Sequence, residues 1–126
     1  MSIPEDPATF EFADEIAALR RELGQAKSRT ARTLVRNAGM SVTLVGIQPG
    51  GGLSEHTAPG PITIHVLEGI IGFEAAGRQA TLSGGMLLSL DAGIPHAVAS
   101  ATGGIFLLTL AIPARAGSAS RLPAEG

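Results

Sequence analysis

Two of the three histidines in this sequence stand in glycine-rich blocks where an imidazole could do chemistry. His56 lies in GGGLSEHTAPGPITIHVLEG and His96 in GGMLLSLDAGIPHAVAS, and the third, His65, lies inside the first block. An imidazole can bind a divalent metal, transfer a proton or hydrogen-bond an organic ligand. Cysteine and tyrosine are absent and no carboxylate pair is placed near the two histidines, so acid–base chemistry has few other groups to use. His56 and His96 are therefore candidate site residues, and the catalytic residues are unknown.

One helix and a series of short strands must position these histidines. Ile16, Leu19 and Leu23 form one apolar stripe, which predicts a helix over 12–23 with Gly24 as a left-handed end. From residue 30 onward the apolar period becomes two, and glycine, proline or polar turns separate short segments, which is typical of an all-β sandwich or barrel. The predicted strands are TARTLVR, MSVTLVGI, PITIHVL, IIGFEA, RQATL, GMLLSL, HAVAS and GIFLLTLAI. Pro49 to Gly52 are expected to end the second of them and to form a turn.

Length and composition predict a single domain with a flexible start and end. The chain has 126 residues, a usual size for one domain. We expect a flexible arm at 1–11, the N-terminal helix at 12–24, the barrel at 28–113 and a disordered tail at 114–126, where the sequence is small, polar and aperiodic.

Charge and aromatic content bear on the partners. The net charge is −2 and Trp and Tyr are absent, which argues against nucleic acid and against an anionic membrane surface. The longest apolar run, IFLLTLAI, is too short to span a bilayer. The lack of cysteine and of a leader pattern at the N-terminus favours the cytoplasm. A small molecule is therefore the expected partner.

The spacing within the two blocks resembles a known pair of motifs. In the first block, five residues separate Gly50 from His56, and Gly69 closes the motif; in the second, Gly85, Gly93 and His96 stand in register. Both blocks, in this order and on an all-β pattern, resemble the two motifs of the cupin superfamily. The resemblance covers about residues 30–112. It implies a double-stranded β-helix, also called a cupin or jelly-roll barrel, and a homodimer.

The sequence also departs from the family pattern. The resemblance implies a metal held by three histidines and one glutamate, but Ala58 and Ile62 stand where the second histidine and the glutamate would be. The second motif has Asp91 in place of its proline and Ser100 in place of its asparagine. His56 and His96 remain as candidate ligands of a divalent ion such as Zn, Ni, Fe or Mn. Two imidazoles alone should hold such an ion weakly, since catalytic sites normally keep three protein ligands.

Whether His65 could supply a third ligand depends on which side chains of the strand ITIHVL point into the barrel. If Ile62 points into the barrel, Ile64 and Val66 do so as well, while His65 points outward because side chains alternate. A β-bulge would reverse this facing. We expect His65 on the outer layer. The predicted pocket lining is Ile62, Ile64, Val66, Met86 and Leu88.

Three functions are compatible with these features. The first is a small-molecule-binding protein with a mostly apolar pocket and the two histidines as its polar pair. The second is a metal-dependent enzyme similar to cupin dioxygenases, isomerases or decarboxylases, which needs one more ligand than the sequence offers. The third is a dimeric structural or interaction protein. The loss of two ligands without a substitute favours the first.

Overall fold

The described part of the chain forms eight strands and one helix, as the sequence predicts for an all-β fold with an N-terminal helix. The computed structural model describes residues 7–113. The predicted tail at 114–126 and the first six residues of the predicted arm lie outside the described residues. The elements are α1 (Phe12–Leu23), β1 (Arg29–Arg36), β2 (Met40–Ile47), β3 (Gly51–His56), β4 (Ile62–Ala75), β5 (Arg78–Ser83), β6 (Leu87–Leu90), β7 (His96–Ser100) and β8 (Gly104–Ala111). Within residues 7–113, no helix has the length and apolarity needed to cross a bilayer.

The long strand β4 connects the two halves of the fold. Its first half pairs with β6 and β8, and its second half pairs with β5 and β7, in every case antiparallel. The sequence predicts two strands here, whereas the structure has one. The chain bends instead of stopping, because the register with β8 shifts between Val66 and Glu68 and Gly69 adopts a left-handed φ of 79°. One strand thereby contributes to both halves of the curled sheet.

The strands β1 and β3 are the two ends of the sheet order β1-β2-β8-β4-β7-β3. They approach each other where Ser28, the residue before β1, accepts a hydrogen bond at Oγ from the Gly52 N–H over 3.1 Å. A Cβ on Gly51 would lie 2.3 Å from the Ser28 carbonyl oxygen, so this approach requires glycine at position 51. The predicted turn at Pro49–Gly52 is therefore only half right, because Gly51 and Gly52 already belong to β3.

Apolar side chains from both halves of the sheet fill its concave side. Along β4, Ile62, Ile64 and Val66 are buried while the residues between them are only half-buried, which is the period of two expected of a strand. The other buried members of this core come from β2, β4, β5, β7 and β8: Val45, Ile47, Ile71, Phe73, Leu82, Val98 and Phe106. This core forms the floor of the site described below.

The helix covers the convex side of the sheet. Leu19 is fully buried against Leu44 of β2 and Ile105 of β8. Gly46 lies directly below it, where a Cβ would approach Leu19 Cδ2 to 3.1 Å. The absence of a side chain at Gly46 allows the helix to pack closely on the strand.

Charged side chains also join the helix to β1. Arg32 donates from Nη2 to Glu15 Oε1 over 3.1 Å and from Nη1 to Glu22 Oε2 over 2.9 Å. The hydrogen bond with Glu15 raises the pKa of the Arg32 guanidinium, against a smaller opposing effect of desolvation. The expectation of a left-handed Gly24 is wrong. Its φ is −61°, and its N–H continues the helical pattern by donating to the Arg20 carbonyl.

Candidate functional site

A β-bulge in β3 brings His56 beside His96. Leu53 pairs with Val98 and His56 pairs with His96, so three residues of β3 span the length that two residues of β7 cover. Without the extra residue, Glu55 would share the facing of Leu53, and His56 would point away. With it, the two imidazole rings meet edge to face, with centroids 4.3 Å apart.

Each imidazole ring makes a hydrogen bond with the backbone carbonyl two residues before it in the chain. His56 Nδ1 lies 2.8 Å from the Ser54 carbonyl oxygen, and His96 Nδ1 lies 2.9 Å from the Ile94 carbonyl oxygen. A carbonyl oxygen only accepts, so each Nδ1 carries the hydrogen. In the neutral form of each ring, Nε2 therefore keeps its lone pair free for a ligand donor or a cation.

The two histidines differ in their surroundings. His96 is 3% exposed and is stacked on Phe73, with ring centroids 5.4 Å apart and an interplanar angle of 15°. His56 is exposed at the end of β3. His96 is thus the buried inner member of the pair, packed between Phe73 and His56. His56 is the outer member and faces the solvent.

A cavity of about 580 Å³ opens in front of the two rings, a volume in the range of small-molecule sites. Eight of its fifteen lining residues are apolar: Ala31, Val45, Leu53, Ile62, Ile64, Val98, Phe106 and Leu108. The polar ones are Lys27, Ser28, Arg29, Thr30, Thr43, His56 and His96. The cavity therefore has a mostly apolar floor and a polar edge.

The predicted pocket residues divide into two groups. Ile62 and Ile64 line the cavity together with the histidines. The structure does not bring the other three to its surface. Val66 is fully buried deeper in the core and Leu88 packs against that core, whereas Met86, 43% exposed, lies after the β5–β6 turn with its Sδ near Ser83. Met86 follows the turn and precedes β6, so the inward and outward alternation of strand side chains does not apply to it.

His65 lies on the opposite side of the sheet from the cavity. It is half-buried between the two buried residues Ile64 and Val66, and its backbone partners are Leu87 of β6 and Leu107 of β8. The pairing of β4 with β8 is regular from Ile62 to Val66 and shifts only after Val66, so no bulge turns His65 inward. The structure does not bring His65 to the other two histidines.

The donor set does not fit a resident catalytic metal. Within residues 7–113, no group of three or more His, Cys, Asp or Glu side chains is placed to hold an ion. Ile62, at the position where the family resemblance implies a glutamate, is a buried apolar wall of the cavity. A dication beside that wall would lack both a third protein ligand and compensating charge.

Sequence reasoning missed the segment that enters β1. Lys27, Ser28 and Arg29 line the cavity, although they are distant in sequence from both histidine blocks. Arg29 Nη1 donates to the Gly52 carbonyl oxygen over 3.2 Å, which helps to hold this segment against β3. No motif marks these residues, because their role depends on the approach of the two end strands of the sheet.

Comparisons with known proteins agree with this architecture. The family model described as a cupin domain matches residues 43–112. A conserved protein of unknown function from Streptococcus pyogenes is 24% identical with a TM-score of 0.65, and 69% of this chain and 76% of that one are covered. A cupin superfamily protein from Desulfitobacterium hafniense is 19% identical with a TM-score of 0.66, covering 70% of this chain and 83% of that one.

An enzyme is also among the similar structures. Salicylate 1,2-dioxygenase from Pseudoaminobacter salicylatoxidans, solved as adducts with gentisate, is 14% identical with a TM-score of 0.73. The match covers 80% of this chain and 32% of that enzyme. At these identities the three likenesses show the fold. No curated protein matches the sequence.

Proposed function

The chain belongs to the cupin domain family, and from this premise we propose that it is a small-molecule-binding protein whose ligand occupies the cavity in front of His56 and His96. The apolar floor would hold the body of the ligand. The Nε2 lone pairs of the two histidines would accept hydrogen bonds from a hydroxyl or an N–H group of the ligand. Apolar walls with a few converging polar groups are what small-molecule sites usually contain.

The single observation that carries this proposal is the orientation of the two rings at the cavity. Both are held through Nδ1 by a backbone carbonyl two residues earlier, so their acceptors are pre-arranged before a ligand arrives. Pre-arranged groups improve affinity because less freedom is lost on binding.

The kinds of charged side chain at the cavity favour binding over catalysis. Among residues 7–113, no carboxylate lines the cavity. Glu55, the sequence neighbour of His56, lines a different cleft together with Glu74. A reaction in the cavity would therefore have the histidines and Lys27 for acid–base work without a carboxylate beside them, and the donors described do not complete a metal site.

Weak binding of a divalent ion is a second candidate. The carbonyl bonds at Nδ1 are the arrangement usually found behind metal-ligating histidines, since they orient Nε2. With two protein ligands, we expect such an ion to exchange readily. The homodimer and the cytoplasmic location predicted from the sequence are further parts of this proposal, and light scattering at micromolar concentration tests the first of them.

A fluorescence titration with naphthalene-2-carboxamide tests the main proposal. The chain contains neither Trp nor Tyr, so the naphthalene signal is free of protein background. Ala31 lines the mouth and is exposed, so Ala31→Phe should fill the cavity without disturbing the core. The matched control is Ala101→Phe, on an exposed turn away from the cavity.

The expected result is saturable binding that Ala31→Phe abolishes and Ala101→Phe preserves. Both variants should unfold at nearly the same temperature as the parent. Binding that survives Ala31→Phe unchanged, or no binding at all, would overturn the assignment of this cavity as a small-molecule site.

A further inference from the structure

Two cations stand at the edge of the cavity without a nearby acid. Lys27 and Arg29 are both exposed and both line the cavity, while no Asp or Glu of the described part of the chain does so. The whole chain carries a net charge of −2. The sign of the charge at this opening is therefore opposite to that of the molecule.

Two other arginines of the fold are engaged by carboxylates, whereas Lys27 and Arg29 are the cations that line the cavity. Arg20 pairs with Glu68, and Arg32 pairs with Glu15 and Glu22. Among residues 7–113, neither Lys27 nor Arg29 takes part in an ion pair. Arg29 uses one Nη1 hydrogen on the Gly52 carbonyl, which leaves other guanidinium donors for a ligand.

The two cations and the two histidines approach the cavity from different halves of the sheet. Arg29 belongs to β1, which pairs with β2 in the helix-covered half, whereas His56 and His96 are partners in the β3–β7 pair. Apolar side chains such as Val45, Ile64 and Phe106 line the cavity as well. A ligand that contacts both polar groups would place an apolar body on this floor.

We propose that the ligand is an organic carboxylate with an apolar body, whose carboxylate group is bound by Lys27 and Arg29. This inference rests on the proposed function and names the chemical class of its ligand. A guanidinium and an ammonium bind carboxylate oxygens with charge-assisted hydrogen bonds, which are stronger than neutral ones. A neutral ligand would leave both cations uncompensated at the mouth and would gain nothing from them.

The test compares naphthalene-2-carboxylate with naphthalene-2-carboxamide, which has the same shape and no charge. The affinities are measured by fluorescence on the parent protein, on Lys27→Gln/Arg29→Gln and on His56→Gln/His96→Gln. Arg36→Gln/Arg78→Gln is the matched control, because it removes two exposed cations that do not line the cavity.

We expect the parent to bind the carboxylate about three- to tenfold more tightly than the amide, in line with partly exposed charge pairs. The preference should disappear in Lys27→Gln/Arg29→Gln, persist in Arg36→Gln/Arg78→Gln and shrink as salt is added. The His56→Gln/His96→Gln variant should weaken the amide, whose N–H groups can donate to Nε2, at least as much as the carboxylate, which has no donor, and should keep the preference.

Two results would overturn the inference and leave the proposed function standing. Equal affinity for the two probes, abolished by Ala31→Phe, would mean that the cavity binds small molecules without regard to charge. A preference that survives the loss of Lys27 and Arg29 but not that of the histidines would assign the carboxylate to the imidazoles. Failure of both probes to bind would overturn the proposed function as well.

Discussion

His56 and His96 face each other as backbone partners on β3 and β7, with their rings 4.3 Å apart, although the spacing from Leu53 alone would turn His56 away. The extra residue of the bulge corrects the facing. Bulges often occur beside functional sites, where they re-aim a side chain. The site in this protein therefore depends on an irregularity of the sheet as much as on the two histidines.

The two histidines should contribute unequally to stability. His96 is buried and stacked on Phe73, so His96→Ala should leave a void and lower the free energy of unfolding by about 2 kcal/mol. His56 is exposed, and His56→Ala should cost less than about 1 kcal/mol. Urea denaturation of the two variants measures both values. Equal losses would contradict the description of His96 as the inner, structural member of the pair.

The packing of the helix on the sheet should depend on Leu19. This side chain is fully buried against Leu44 and Ile105, so Leu19→Ala should lower the free energy of unfolding by about 3 kcal/mol. Leu87→Ala is the matched control, because Leu87 is 63% exposed on β6 and should change stability by less than about 0.5 kcal/mol. Chemical denaturation gives both numbers. A small effect at Leu19 would mean that the helix adds little to the core.

A carboxylate at position 62 should complete a three-ligand metal site at the two histidines. Ile62 lines the cavity with both histidines, so Ile62→Glu would provide a set of two histidines and one carboxylate. Without metal, the buried Glu should lower the free energy of unfolding by about 2 kcal/mol or more. Zinc should restore the unfolding temperature, because a ligand bound only by the folded state stabilises it.

Thermal unfolding with and without zinc, beside mass-spectrometric metal analysis after dialysis, checks this expectation. The parent should retain less than one metal per chain, and Ile62→Glu should retain close to one. Ile70→Glu is the control, because Ile70 is 48% exposed and does not line the cavity. If zinc does not stabilise Ile62→Glu, the side chain at position 62 does not reach the two imidazoles.

Much of the architecture can be read from local patterns. The switch from a helical stripe at Ile16 and Leu19 to alternating apolar residues predicts one helix followed by an all-β sandwich or barrel, and the structure has one helix followed by a curled sheet. Alternation along β4 also separates Ile62 and Ile64 from His65, because adjacent side chains of a strand must face opposite ways. These predictions succeed because they depend on residues close together in the chain.

Other features of the site have no local signal. The strand β3 begins with two glycines, which have low strand propensity, and it is missing from the strands that the sequence predicts. Its bulge exists only relative to its partner β7. Met86 was predicted as a pocket residue, but the turn after β5 directs the chain so that it lies outside the cavity lining.

The amino-acid sequence by itself determined the fold class, the family motifs around His56 and His96, and the loss of the ligands at Ala58 and Ile62. These follow from residue types and short spacings, which act within one strand or turn. Only the tertiary structure decided that the two rings touch and that Lys27 and Arg29 share their cavity. Both facts depend on which distant strands become neighbours, and that choice is made by the burial of the whole apolar core.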